Sequence, residues 1–576
     1  MTQPFWRPRG KAGASGVPRP VTGAVCGVIA AAVAMGVAQL LAGLSIPQSS
    51  PVLAVGQAAI DMTPLPVKDW ATSTFGTNDK NALLTGVWVV LFCYAAVVGV
   101  LAVRRLWAGV AGIGVFAAIG MAAALTRPTA TAAWALPTLG GAAVGALVLY
   151  RLVVTARKAA RASAAKAAAA KPLPPITFGD SDGGADAPGA AAGPDGELRA
   201  PDLPGTKVPP LRLPPSPRQP TARRTFLVSA SVAVVGAGAA GLVGRELTTR
   251  RNVSAARSEL RFPAAAVPAP PLPAGANLPI PGISPFITPN DQFYRVDTAL
   301  FLPEVDPSNW TLRIHGMVAK EVVITFDQLL RRPLIEDYVT LCCVSNPVSG
   351  PYIGNAKWLG ASYASLIREA GPLRGADQLM CTSADGFTSG TPISVVLDGR
   401  DSLIAVAMNG TALPVEHGFP ARLVVPGLYG YVSACKWVTD IQVTTFAAAT
   451  AYWAQRGWSQ QAPIKTESRI DVPAGGSQVK GGTVTVAGVA WAQHKGIEAV
   501  EVRVDGGQWH EANLAAVPDI DTWRQWSWQW ADARPGPHLI EARATDKTGY
   551  TQTAVQEDVA PNGATGYPMN QVTVYQ

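Results

Sequence analysis

The chain has 576 residues, enough for several domains, and its 48% hydrophobic content and formal charge of +8 are unevenly spread along it. Nearly uncharged apolar runs dominate the N-terminal part, while the C-terminal part has an ordinary soluble composition. Lys and Arg crowd the N-terminal tail, the connections between apolar runs and the region from Arg151 to Arg224, a pattern of charge placed against a membrane. No zinc finger, RNA-binding motif or basic recognition helix accompanies that charge, which argues against a nucleic-acid partner. Six cysteines without a Cys-x-x-Cys pair argue against a disulfide scaffold, a structural zinc site and an iron–sulfur cluster.

In chain order, the apolar runs 21–44, 82–103, 106–126 and 129–150 each reach the ~20 residues that a membrane-crossing helix needs. They define a four-span region over 1–154. Arg7, Arg9, Lys11 and Arg19 place the N-terminus in the cytoplasm by the Lys/Arg bias of cytoplasmic loops. Arg104 and Arg105, and the cluster from Arg151 to Lys171, fall on the same side, which leaves 45–81 as an external loop. The Ala-, Pro- and Gly-rich stretch 155–222 is expected to be a mostly disordered cytoplasmic linker, its first part extending the fourth span as helix up to about Lys171. A fifth span is expected at 225–244, within a segment 223–250 that opens on Arg223-Arg224-Thr225-Phe226-Leu227. That opening resembles a twin-arginine export signal. Gly236, Gly238 and Gly241 in this segment fit G-x-G-x-x-G, but a proline-rich stretch follows instead of a second strand, so dinucleotide binding is discounted.

A Pro-rich extended lead-in covers 251–289. Residues 290–446 mix short strands, at 310–315 and 321–324, with short helices at 326–330 and 363–370, which predicts an α+β domain rich in loops. From 466 to 576 short β-rich runs alternate with turn signals such as Asp505-Gly506-Gly507, the pattern of an all-β immunoglobulin-like sandwich.

The motifs that carry chemistry lie between 286 and 446. Phe293-Tyr294-Arg295 comes first, then Thr340-Leu341-Cys342-Cys343-Val344-Ser345-Asn346, Trp358-Leu359-Gly360 and Ser383-Ala384-Asp385-Gly386. They close on His417-Gly418-Phe419-Pro420-Ala421-Arg422 and Lys436-Trp437. In this order the set resembles the sulfite oxidase family, over about 290–576 and including a C-terminal sandwich like that family's dimerisation domain. The resemblance implies molybdopterin with molybdenum as cofactor and Cys343 as the thiolate that binds the metal, a soft donor suited to a redox-active ion. It assigns Asp385, His417, Arg422 and Lys436 to the pterin and its phosphate, and Phe293, Tyr294 and Arg295 to the segment lining the cofactor. Asn346 and Trp358 fall at the substrate pocket by the same resemblance, and Cys342, one place early, is a packing residue.

The sequence departs from the family where an anionic substrate would bind. The arginine positions after the cysteine motif are Pro347 and Val348, and a third falls on Val296 beside Arg295. A pocket short of those cations is poorly matched to sulfite. The resulting expectation is a multi-pass cell-membrane protein with an extracytoplasmic, sulfite-oxidase-like domain. It would carry out two-electron oxygen-atom transfer on a small-molecule substrate, with sulfoxide or S/N-oxide reduction as the alternative. An inactive extracellular binding module is the reading from another class. None of the histidines (His315, His417, His494, His510 and His538) lies in a span, so haem held by two histidines within the spans is not expected. A separate electron-transfer partner is implied, and a homodimer through the sandwich is possible.

Overall fold

The computed structural model describes residues 17–45, 49–64, 67, 70, 74–75, 79–127, 130–169, 222–250, 253–300 and 302–576. The chain divides into two compact units, one made of 1–41, 87–118 and 137–243, the other of 42–86, 119–136 and 244–576. The N-terminal helices are α1 (Pro20–Leu44), α2 (Pro51–Met62), α3 (Asp79–Arg104), α4 (Leu106–Leu125), α5 (Ala135–Ala169) and α6 (Ala222–Arg250). Four stretches among the described residues, in α1, α3, α4 and at Ala132–Ala165 through α5, are long and apolar enough to cross a membrane.

Within the first unit, α1 and α3 touch backbone to backbone. A Cβ on Gly27 would overlap Ala95 O, and one on Gly99 would overlap Gly23 O, so these small residues let the helices approach as membrane helices commonly do. Cys26, Ala30, Val98, Ala102, Leu149 and Val153 fill the seam. Arg157 donates to Ala102 O at 3.0 Å and Val103 O at 3.3 Å, satisfying carbonyls at the end of α3 that the helix leaves unpaired.

Helix α5 runs through Ala169, so the linker's first part, 155–169, is helical in line with the extension expected there, as its Ala, Lys and Arg content favours. The rest of the linker, 170–221, lies outside the described residues. In α6 the apolar part found among the described residues is Ala230–Val243, inside the span drawn at 225–244, and the side chains of Arg223, Thr225 and Phe226 lie outside the described residues. Helix α2 was not anticipated: its 12 residues are too few to cross a bilayer and gave only a loop-like signal.

The second unit contains α2 and everything from 244 onward. After a single turn, α7 (Ser254–Glu259), the lead-in runs without regular structure as expected. Two sheets then build the α+β domain. One has the order β2 (Val322–Thr325), β1 (Thr311–Gly316), β10 (Val438–Thr444), β5 (Gln378–Ser383) and β6 (Thr388–Pro392). The other runs β3 (Leu334–Cys342), β4 (Ile353–Ser362), β7 (Leu403–Met408) and β8 (Thr411–Ala412), with β9 (Arg422–Val424) also paired to β7. Helices α8 (Phe326–Leu330), with a Thr325/Gln328 capping box, and α9 (Tyr363–Ala370) sit where the sequence pattern placed them. Trp310, Leu312, Tyr363, Leu366, Cys381 and Ile441 form the core between these elements.

The C-terminal sandwich faces β11 (Glu467–Val472), β13 (Gly482–Trp491), β17 (Arg524–Ala533) and the short β16 (Asn513–Leu514) against a sheet of β14 (Ile497–Val504), β18 (Gly536–Asp546), β19 (Met569–Tyr575) and the short β12 (Gln478–Lys480) and β15 (His510–Glu511). Val486, Val500, Trp526, Ile540 and Ala542 are buried between the sheets. Asp505 and Gly506 have φ of 53° and 69°, the left-handed pair that a tight hairpin turn after β14 requires.

Thr340 on β3 ties the two domains together. Its hydroxyl donates to Asn355 Oδ1 at 2.9 Å and accepts from Trp523 N at 2.7 Å, while its carbonyl accepts from Gln493 Nε2 at 3.0 Å. The strand that ends at the Cys342–Cys343 pair is thereby anchored from the sandwich side.

Candidate active site

Successive residues at the end of a strand point to opposite faces. At the end of β3 this separates the two cysteines: Cys342 is wholly buried in the domain core, whereas Cys343 turns into a cleft of about 920 Å³, open solvent at its mouth included. The Cys343 amide donates to Tyr352 O at 2.9 Å, and its Sγ accepts from Ser345 N at 3.4 Å. Burial raises the thiol pKa, while the Ser345 N–H and the charge of Lys436 act in the opposite sense. Among the described residues no three His, Cys, Asp or Glu side chains are grouped to hold a metal ion, so Cys343 is a lone soft donor facing the cleft.

The polar end of the cleft is built by three chain segments. His417 sits in a single 3₁₀ turn, 3% exposed, with Nε2 3.1 Å from Asn290 O and its ring edge-on to Phe293 at 5.5 Å. Because a carbonyl only accepts, Nε2 carries the proton and Nδ1 is left as an acceptor in the neutral ring. Burial, helped by the nearby Arg422 charge, pushes its pKa down to about 4, so the imidazole is neutral near pH 7. Gly418 follows with φ of 110°, and a Cβ there would come within 2.9 Å of Arg422 Cβ and 3.2 Å of Lys436 Cα. This close approach brings the three side chains to one end of the cleft.

Arg422, on β9, is 5% exposed. Its guanidinium donates to His417 O at 3.1 Å and to Leu423 O and Ala434 O at 3.4 Å, and lies 5.0 Å over the Trp358 ring. Among the described residues it has no carboxylate partner within ion-pair distance, and burial pulls its pKa down to about 10. Lys436 is also buried, but Asp297 Oδ2 lies 2.7 Å from its Nζ, with Glu416 O at 3.1 Å. Burial outweighs that partner and brings Lys436 down to about 8. Asp385 lines the same cleft in a turn where its carboxylate accepts from Phe387 N at 3.1 Å, and burial raises its pKa.

Phe293, Tyr294, Cys343, Asp385, His417, Arg422 and Lys436 are thus brought to one cleft. Tyr294 stacks on Phe293 with centroids 5.3 Å apart, and burial holds its phenol well above the usual pKa. The remaining predicted residues are placed elsewhere. Arg295 is not among the residues lining the cleft; its guanidinium, 39% exposed, pairs with Asp297 at 2.8 Å. Asn346 spends its Oδ1 on Tyr352 N at 2.8 Å, bracing its own loop, and does not line the cleft. Trp358 is fully buried beneath Arg422, with Nε1 donating to Val339 O at 3.1 Å. Sequence reasoning missed Asp297, whose carboxylate joins Arg295 and Lys436; an Arg-x-Asp step in an extended segment was the available signal. It also missed the aromatic side of the cleft, formed by Phe387, Tyr431, Trp453 and Trp458.

The residues fit a phosphate-bearing pterin that carries a thiophilic metal. A buried cation without a counter-ion needs an anion, a fork of N–H donors suits phosphate, and the thiol faces the same space. Residues 299–453 match the oxidoreductase molybdopterin binding domain family, and 467–554 match the bacterial Ig domain family. The chain is 30% identical over 322 residues to sulfite oxidase of Gallus gallus, covering 48% of this chain and 69% of that protein. It is 29% identical over 287 residues to mitochondrial sulfite oxidase of Mus musculus, covering 42% of this chain and 52%, about half, of that protein. Among solved structures it is similar to the sulfane dehydrogenase SoxCD of Paracoccus pantotrophus, at 24% identity and a TM-score of 0.43 over 50% of this chain and 84% of that one. With its molybdopterin-binding domain and immunoglobulin-like sandwich, the chain belongs to the sulfite oxidase family of molybdenum-dependent oxidoreductases.

Proposed function

We propose that this chain is a membrane-anchored, extracytoplasmic oxidoreductase that transfers an oxygen atom to or from a small, uncharged substrate. The observation that carries the reading is Arg422: a buried guanidinium held only by carbonyls, in the cleft that Cys343 faces. Arg422 and Lys436 would hold the pterin phosphate, with neutral His417 and Asp385 as hydrogen-bonding partners and Cys343 as the metal's protein ligand. Molybdenum, when bound, supplies the two-electron redox couple.

The substrate class follows from what remains. Arg422 and Lys436 would be committed to the cofactor, Lys436 is already paired with Asp297, and Arg295, also paired with Asp297, does not line the cleft. The wall facing the open space is Phe387, Tyr431, Trp453 and Trp458, an apolar aromatic surface suited to an uncharged sulfur or nitrogen compound. Run as a reduction, such a reaction takes an S-oxide plus two electrons and two protons to the sulfide and water, with the electrons delivered by a separate protein. Orientation is supported by contacts of the two loops that the Lys/Arg bias puts outside. Asp61, after α1, pairs with Arg127, after α4, at 2.8 Å, and Tyr452 and Arg456 of the oxidoreductase domain reach the same Asp61.

The test uses full-length protein from a host that makes the cofactor. One molybdenum per chain in the wild type and none in Cys343→Ala is the expected result, with sulfoxide reduction by a reduced viologen exceeding sulfite oxidation by ferricyanide. Wild-type protein without molybdenum would refute the enzyme reading; efficient sulfite oxidation would refute the substrate class. Reporter fusions near residues 190 and 300 should fall on opposite sides of the membrane, and same-side results would overturn the topology.

A further inference from the structure

Helix α2 comes from the loop between α1 and α3, yet, beyond the Asp61–Arg127 pair, Gln57 and Asp61 reach the walls of the cleft. The Gln57 amide makes a two-pronged contact: Nε2 donates to Thr298 O at 3.1 Å, and Oε1 accepts from Leu300 N at 3.2 Å. Gln57 thus engages the extended segment 298–300 as a neighbouring strand would. Thr298 lines the cleft, and the adjacent Asp297 holds Lys436. One residue further back, Gly56 leaves room for Leu300: a Cβ there would come within 2.7 Å of Leu300 Cδ2.

At the end of the helix, Asp61 engages the other wall. Its Oδ1 accepts from the Tyr452 hydroxyl at 3.1 Å, and its carbonyl accepts from Arg456 at 3.0 Å. Arg456 lies 3.6 Å over the Tyr452 ring and donates to Tyr452 O at 2.7 Å, so the pair is engaged as one block. The Tyr452 ring meets Phe387 at 5.7 Å and Trp453 at 5.2 Å, and Trp453 meets Trp458 at 6.2 Å. Phe387, Trp453 and Trp458 are the aromatic wall. Alongside these contacts α2 is also held by packing: Ala54, Val55 and Ala58 cluster with Ala123, Ala124 and Trp134.

Neither 297–300 nor 452–453 belongs to a strand or helix, so these segments depend on tertiary contacts, among them Asp297 with Lys436 and Tyr452 N with Thr388 Oγ1 at 3.0 Å, to which the α2 contacts add. Such segments open at low cost unless something outside them supplies the constraint. We infer that Gln57 and Asp61 are positioning residues that hold the two walls of the cleft, so that the membrane-linked loop helix is a structural part of the active site. The inference takes its catalytic meaning from the proposed function, but its geometry stands without it.

The test reads the shape of the cleft in full-length protein made without the cofactor. A Cys93→Ser background leaves Cys343 as the only cysteine among the described residues that is not buried. Its alkylation is followed with iodoacetamide and with a bulky fluorescein maleimide, alongside amide hydrogen exchange. Asp61→Ala is expected to speed the maleimide reaction about fivefold, the change in an opening equilibrium that one ordinary hydrogen bond represents, and Gln57→Ala, which removes two bonds, by more than that. Iodoacetamide should respond less, and exchange should rise at 298–300 for Gln57→Ala and at 452–458 for Asp61→Ala while the sandwich stays unchanged. Tyr452→Phe removes only a hydroxyl and keeps the ring contacts, so it serves if an alanine variant fails to fold, with a rise of the same sign. Asp61→Asn retains the Tyr452 acceptor and the carbonyl and should restore the aromatic wall's protection. Folded variants with wild-type maleimide rates and wild-type exchange in these segments would reduce α2 to a tether and overturn the inference. Because no readout involves molybdenum or turnover, this result is independent of whether the oxidoreductase reading holds.

Discussion

Arg422→Met separates a ligand-binding arginine from a structural one. Burial lowers the Arg422 pKa by more than two units from its ordinary value, to about 10. At ~1.4 kcal/mol per unit, the folded cofactor-free protein carries ~3 kcal/mol of strain from this charge. Three bonds to carbonyls, at 3.1 to 3.4 Å, and the Trp358 contact offset a similar amount, at ~1 kcal/mol or less each. Replacing the guanidinium by an apolar chain of similar length should therefore change the stability of the cofactor-free protein by no more than ~1 kcal/mol. An arginine paired to a buried carboxylate would cost ~3–5 kcal/mol on removal, because its partner is stranded. In the loaded protein the same substitution removes charge-assisted bonds to phosphate worth ~2–3 kcal/mol, so cofactor retention should fall ~30- to 150-fold. Urea unfolding followed by tryptophan fluorescence measures the first effect, and molybdenum content after dialysis measures the second. A loss above ~3 kcal/mol without cofactor, or full molybdenum retention, would refute the assignment.

The two cysteines should separate cleanly. Cys342→Ala costs ~1–2 kcal/mol as a small cavity in the core yet keeps molybdenum, whereas Cys343→Ala loses the metal, as metal analysis of both will read. His417 should make the cofactor-free protein acid-sensitive. Its folded pKa, about 4, lies below the unfolded value near 6.5, so its contribution is complete above pH 6.5 and falls by ~3 kcal/mol as pH drops towards 4; His417→Gln should flatten that part of a pH–stability curve. Thr340→Val leaves Asn355 Oδ1 and the Trp523 N–H without their shared partner and should cost ~2–4 kcal/mol in a thermal unfolding scan, loosening the sandwich from β3.

The long apolar helices were legible because crossing a bilayer would demand an uncharged run of a length that little else requires. Cys343, His417, Arg422 and Lys436 were legible as an ordered set, and the Gly418 bend shows why His417 and Arg422 stay near each other in sequence: the turn packs directly on Arg422 and Lys436. Asn346 and Trp358 belong to the same motifs but brace the loop and floor behind the cleft, a distinction that only packing reveals. The aromatic wall could not be read, because Phe387, Tyr431, Trp453 and Trp458 come from three separate segments and meet only through tertiary contacts. Helix α2 was hidden for another reason. It is amphipathic over 12 residues, and what identifies it is two side chains, Gln57 and Asp61, bonded to chain more than 240 and 390 residues away.

These placements join the charge pattern to the architecture. A doubly charged oxyanion needs cations that are free when the cofactor is in place. Lys436 already shares Asp297 with Arg295, and Arg422 lies at the polar end beside His417. The Asp297 carboxylate therefore has two roles. It neutralises the lysine, and through its neighbour Thr298 it connects the polar end to Gln57 on the membrane-linked helix. The aromatic end connects to the same helix through Tyr452 and Asp61. Both ends of the cleft are thus referred to one element outside the oxidoreductase domain. An uncharged substrate fits that arrangement because its binding depends on the spacing of apolar walls, the quantity that a brace from outside the domain controls most directly.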